Sequence, residues 1–93
     1  MLRNMSKRAT RSIPNEPAES LRAVLALNIR QRRLGQGISQ EELAFRCELD
    51  RTYISAVERC VWNISLGNIE KIAAALEIEP WRLLVPPNNR IER

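Results

Sequence analysis

The chain has 93 residues, 44% of them hydrophobic, with two cysteines, no histidine and a formal charge of +4. That length suits one domain, and it is short for a self-sufficient core, since a domain of about 60 residues buries only roughly 60% of its unfolded surface; help from a partner subunit is therefore expected. No apolar run is long enough to span a bilayer and the basic N-terminus lacks the apolar stretch of a secretory signal, so a cytoplasmic location is expected. Without histidine, the two thiols cannot complete a closed zinc site, which needs four nitrogen or sulfur ligands.

The charge is unevenly spread. Arg3, Lys7, Arg8 and Arg11 against Glu16 leave residues 1–16 at +3. Arg90 and Arg93 against Glu92 leave residues 86–93 at +1, while residues 17–85 carry nine groups of each sign. Three segments follow: a flexible basic arm (1–16), a folded domain (17–85) and a tail (86–93). The arm has no hydrophobic periodicity and contains Pro14; it is either a solvated tail or an arm that touches nucleic acid in a minor groove.

The pattern from Glu19 to Leu34 is helical, with Leu21, Leu25 and Ile29 spaced by four. Gly35 and Gly37 end this helix. Ser39 stands three residues before Glu42, a capping box that opens a second helix with Leu43, Ala44 and Cys47 inward. Cys47 then serves as a small buried hydrophobe.

Asp50 caps a third helix over 51–59, whose inward side is Ile54, Val57 and, by spacing, Val61. Ser65 caps a fourth, with the stripe Ile69, Ile72, Ala73 and Leu76. Pro80 suits the first turn of a fifth, short helix ending near Leu84, and Pro86-Pro87 stops it. With no strand signal, the fold class is all-α: a compact five-helix domain.

Only Glu48, Leu49 and Asp50 join the second and third helices. A connection that short makes two helices cross, as in a helix-turn-helix. At 100° per residue, Thr52, Ser55, Ala56 and Arg59 share the face opposite Ile54 and Val57, with Arg51 at the N-terminal tip. An α-helix enters the DNA major groove when its leading residues are compact, with one or two long donors. Arginine reads guanine O6 and N7, threonine bonds to bases or touches a thymine methyl, and alanine offers apolar contact. An ordinary solvated helix face has a similar composition, so both readings stand on periodicity alone. Ser39 and Gln40 at one helix start, Ser65 at another, and the flanking Arg59 and Asn63 add backbone N–H groups and side chains suited to phosphate.

Residues 25–85 resemble the Cro/repressor-type helix-turn-helix family, also called the XRE family. The resemblance is carried by Asn28-Ile29-Arg30, Ile38-Ser39-Gln40-Glu41-Glu42-Leu43-Ala44, Leu49-Asp50-Arg51-Thr52-Tyr53-Ile54-Ser55, Val57-Glu58-Arg59, Asn63, Ser65-Leu66 and Ile72-Ala73-Ala74-Ala75-Leu76, in order and without gaps. The third-helix segment is similar to that of restriction–modification controller proteins. The resemblance implies a lambda-repressor-like fold and base contacts from Arg51, Thr52, Ser55 and Ala56. It implies phosphate contacts from Gln40 and Asn63, a contact of Tyr53 with the backbone or a neighbouring base, and an internal ion pair of Arg33 with Glu58; with Ser39 and Arg59 from the helix-start reading, these make up the expected phosphate-binding set. The chain departs from many relatives where Glu48 and Cys60 replace glycine, and where Trp62 replaces a residue that is often basic.

Ile78, Trp81, Leu84 and Val85 offer more apolar surface than a short terminal helix needs. They form either a two-fold interface or a lid on the chain's own core. A homodimer would set two third helices about 34 Å apart on a pseudo-palindromic duplex. The expected function is that of a double-stranded-DNA-binding transcription regulator without cofactor or metal. A second reading is an antitoxin-like module with a small protein partner. No paired acids in a motif, no histidine and no phosphate loop argue against an enzyme.

Overall fold

The computed structural model describes residues 20–87. The basic arm, the start of the first predicted helix at Glu19 and most of the C-terminal tail lie outside the described residues. Among those described, the chain forms four α-helices and no strand: α1 (Leu21–Gly35), α2 (Gln40–Cys47), α3 (Arg51–Glu58) and α4 (Leu66–Leu76).

Each helix starts where a short polar side chain satisfies an otherwise orphaned backbone N–H. The Ser20, Ser39 and Ser65 hydroxyls accept from the amides of Ala23, Glu42 and Asn68 at 2.9–3.0 Å. Asp50 Oδ1 accepts from the Thr52 amide at 3.2 Å. Only half of the capping box closes at α2. The Glu42 carboxylate turns away from Ser39 and takes Arg46 at 2.9 Å, one turn further on.

The fifth predicted helix is a correction. Pro80–Leu84 forms a 3₁₀ helix, and Val85 is already extended (φ −101°, ψ 127°). Pro86 explains the early stop, because the ring of a proline disfavours the helical conformation in the residue before it. The carbonyls left over at this end are met by α1: the buried Asn28 amide donates to Leu83 O at 2.8 Å and Val85 O at 2.9 Å.

The core lies where all the elements meet. Leu25 and Ile29 of α1, Leu43, Ala44 and Cys47 of α2, Ile54 and Val57 of α3, Ile69, Ile72, Ala73 and Leu76 of α4, and Leu83 of the 3₁₀ helix form one cluster. Burial pushes the Cys47 thiol's pKa up, so it stays protonated, and Sγ–H donates to Leu43 O at 3.1 Å. One inward assignment fails, that of Val61, and Leu21 of the four-residue spacing is exposed as well. Leu21 is 60% exposed, at the first residue of α1. Val61 is 53% exposed, because Cys60 reverses the chain at φ 62° and the helical spacing from Val57 no longer applies beyond it.

Three turns after helices use the left-handed conformation without glycine: Glu48 at φ 57°, Cys60 at 62° and Glu77 at 61°. A side chain in that region costs roughly 1–2 kcal/mol. The connection after α1 avoids this cost, since Gly37 holds the left-handed position there at φ 69°.

Candidate nucleic-acid interface

Glu48, Leu49 and Asp50 alone separate α2 from α3. Glu48 supplies the left-handed turn, Leu49 returns its amide to Ala44 O at 2.9 Å and packs against the core, and Asp50 caps α3. The turn is thus fixed at each of its residues.

A buried polar junction locks α3 from behind. Arg33 Nε donates to Glu58 Oε2 at 2.7 Å and Arg33 Nη2 to Glu58 Oε1 at 2.9 Å, a bidentate pair. The side chains are only 10% and 4% exposed. Arg33 Nη1 donates to Ile38 O at 3.0 Å and Gln40 Nε2 to Glu58 Oε1 at 3.1 Å. The hydrogen bond to Glu58 holds the Arg33 pKa above its ordinary value. One carboxylate therefore ties α1, the start of α2 and the end of α3 together.

The opposite side of α3 is open. Arg51, Thr52 and Arg59 are exposed and Ser55 is half-buried. None of their side chains has a hydrogen-bond or ion-pair partner among the described residues. Ala56 is the exception and a correction. It is 1% exposed, so its methyl cannot meet a base as predicted. It falls one turn after Tyr53, which packs against the core, and its single carbon does not reach past its neighbours. The open side of α3 thus carries Arg51, Thr52, Ser55 and Arg59.

The predicted phosphate-binding residues are differently engaged. Ser39 is exposed at the start of α2; its oxygen caps the helix and its own hydrogen remains to donate. Gln40 is half-buried against the ion pair. Tyr53 accepts at its hydroxyl from Asn68 Nδ2 at 3.0 Å. Asn63 is exposed and accepts from Arg22 Nη1 at 2.9 Å. Sequence reasoning missed Arg22, Asn28 and Asn68. Each acts across the fold on a residue 15 or more positions away, and nothing in local spacing points to such pairings.

Of the residues expected at a two-fold interface, Ile78 and Leu84 pack partly against the core and Val85 is half-buried. Trp81 is 55% exposed, with Nε1–H on Glu79 Oε1 at 2.8 Å and the Arg82 guanidinium 4.8 Å from the ring centre. Leu83, not singled out from sequence, is the fully buried residue of this segment. Leu84 lines an open, mostly apolar groove of about 250 Å³ with Leu21, Leu25, Ile64, Leu66 and Ile69, and with Arg22 and Asn63 as its polar members.

Two short helices joined by a fixed three-residue turn, the second anchored behind and bare in front, define a helix-turn-helix domain. The pattern of the helix-turn-helix family matches residues 29–80, and the chain belongs to that family of DNA-binding transcription regulators. The crystal structure of the hypothetical transcription factor NHTF from Neisseria is 57% identical, with a TM-score of 0.76, over 84% of this chain and 92% of that one. The control protein C.BamHI of Bacillus amyloliquefaciens is 50% identical over 66 residues, 70% of this chain and 82% of its own. The restriction–modification controller protein C.Esp1396I, solved as a tetramer with its natural 35-base-pair operator, is 35% identical with a TM-score of 0.65, over 71% of this chain and 87% of its own.

Proposed function

We propose that this chain is a cytoplasmic, sequence-specific regulator that binds a pseudo-palindromic operator as a homodimer and controls transcription from its own promoter. The observation that carries the reading is the bare face of α3. Arg51, Thr52, Ser55 and Arg59 lack partners among the described residues on a helix whose other side is locked by Glu58. Arg51 and Thr52 at the leading end read bases, with Ser55 behind them. Ser39, Gln40, Tyr53, Arg59 and Asn63 hold the phosphates alongside, where helix N-termini favour anions.

The dimer reading rests on the groove beside Leu84. Leu21 and Leu66 are 60% and 76% exposed at its rim, a concentration of apolar surface that a small monomer has reason to cover. A second copy of this face, extended by Trp81, makes a two-fold contact that leaves both α3 faces free. The antitoxin-like alternative gains no observation of its own.

The test is fluorescence anisotropy of a labelled duplex from immediately upstream of the protein's gene, against a scrambled duplex, at two salt concentrations. Preference for the upstream duplex that persists at higher salt is the expected result. Equal, salt-sensitive binding to both would reduce the interaction to phosphate attraction and sink the autoregulator reading.

A further inference from the structure

A pair of aromatic residues, Tyr53 and Trp62, stands at the start of α3, the first packed partly against the core and the second outside it. Trp62 lies in the loop between α3 and α4, is 46% exposed, and leans its ring on Tyr53, with centroids 6.0 Å apart and planes at 44°. Tyr53 is in the first turn of α3, and its hydroxyl is held by Asn68 in the first turn of α4. Tyr53 therefore bridges the starts of two helices, and Trp62, which lies between Arg59 and Asn63 in sequence, packs on it.

The donors of this pair are unspent. Trp62 Nε1–H has no acceptor among the described residues. Because Asn68 donates to the Tyr53 oxygen, the phenolic hydrogen is directed elsewhere, and it too lacks an acceptor among them. Trp81 shows the contrast: its indole N–H is taken by Glu79. Ring contact with Tyr53 already restricts the Trp62 side chain, so little rotamer freedom remains to be lost on binding.

We infer that Trp62, braced by Tyr53, donates its indole N–H to a backbone phosphate of the bound duplex beside the α3 groove. This inference rests on the DNA-binding reading above and adds a contact to it. Its signature follows from charge. A neutral donor strengthens binding to any sequence without releasing a counterion, whereas an arginine or lysine at a phosphate steepens the salt dependence by roughly one ion.

The test compares wild type, W62F and W62R on the labelled upstream and scrambled duplexes across a salt series, with thermal unfolding alongside. Phenylalanine keeps the ring against Tyr53 and removes only the donor. W62F is expected to bind both duplexes about ten-fold more weakly, in the range of a hydrogen bond to a charged group, with the wild-type salt slope and melting midpoint. W62R is expected to recover the affinity with a slope steeper by about one for each protomer bound. Wild-type tryptophan emission should change on adding the upstream duplex, and that change should vanish in W62F. Wild-type affinity in W62F overturns the inference, as does an emission change that persists there. A W62F affinity loss matched by a fall in melting midpoint also overturns it, making the ring a structural brace. Failure of the wild type to bind either duplex would instead sink the underlying DNA-binding reading.

Discussion

Two charged residues on the same eight-residue helix receive opposite treatment. Glu58, at the end of α3, is enclosed by Arg33 and Gln40 with its side chain 4% exposed. Arg51, at the start, is exposed and has no partner among the described residues. In a structure that balances nine acids against nine bases over residues 17–85, this asymmetry separates charges that hold the fold from charges left for a ligand. A buried charge must be compensated inside the protein. An exposed one bears no such demand and can wait for phosphate or guanine.

The largest break in this comparison comes from the locked end. E58A leaves the Arg33 guanidinium buried without its carboxylate, and urea denaturation should show a loss of about 3–5 kcal/mol. The double variant R33M/E58L should regain much of it, since two apolar groups of similar size need no pairing. A single-variant loss below about 1 kcal/mol would mean the pair behaves as a surface salt bridge.

At the open end, R51A should leave unfolding unchanged and weaken operator binding by about 1–3 kcal/mol, with discrimination against the scrambled duplex reduced. Loss of stability in R51A would mean that the two ends of α3 are not separable. The smallest effects are expected at the turns. G37A puts a side chain at φ 69° and E77G removes one from φ 61°. Their unfolding free energies should move in opposite directions by about 0.5–1 kcal/mol each, the left-handed strain less the extra unfolded-chain entropy of glycine. Movement in the same direction would show that neighbouring contacts, rather than backbone conformation, govern these turns.

Much of the site was legible because its signals are local. The spacing Ser39–Glu42, the short link at 48–50 and the alternation of Ile54 and Val57 with polar residues along α3 depend on chain geometry within a turn or two. Errors arose where a residue's surroundings come from elsewhere in the chain. A helical wheel assigns Ala56 to the outer face by angle alone, and only packing shows that a side chain of one carbon there is covered. Val61 was carried past the end of a helix that the left-handed Cys60 had already closed. Leu21 and Leu66 are apolar by type and exposed in fact, which periodicity cannot reveal in a chain that has reason to pair with a copy of itself.

By itself the sequence determined the all-helical class, the caps, the helix-turn-helix and the placement of Arg51, Thr52 and Ser55 on the open side of α3, because each follows from propensity, periodicity or an ordered motif over short separations. Only the tertiary structure decided that the last segment is a 3₁₀ helix stitched to Asn28, that Ala56 is withdrawn, and that Tyr53 and Trp62 stand together with their donors unpaired among the described residues. Those outcomes depend on which distant groups arrive within hydrogen-bonding or van der Waals reach, and that is settled when the helices pack.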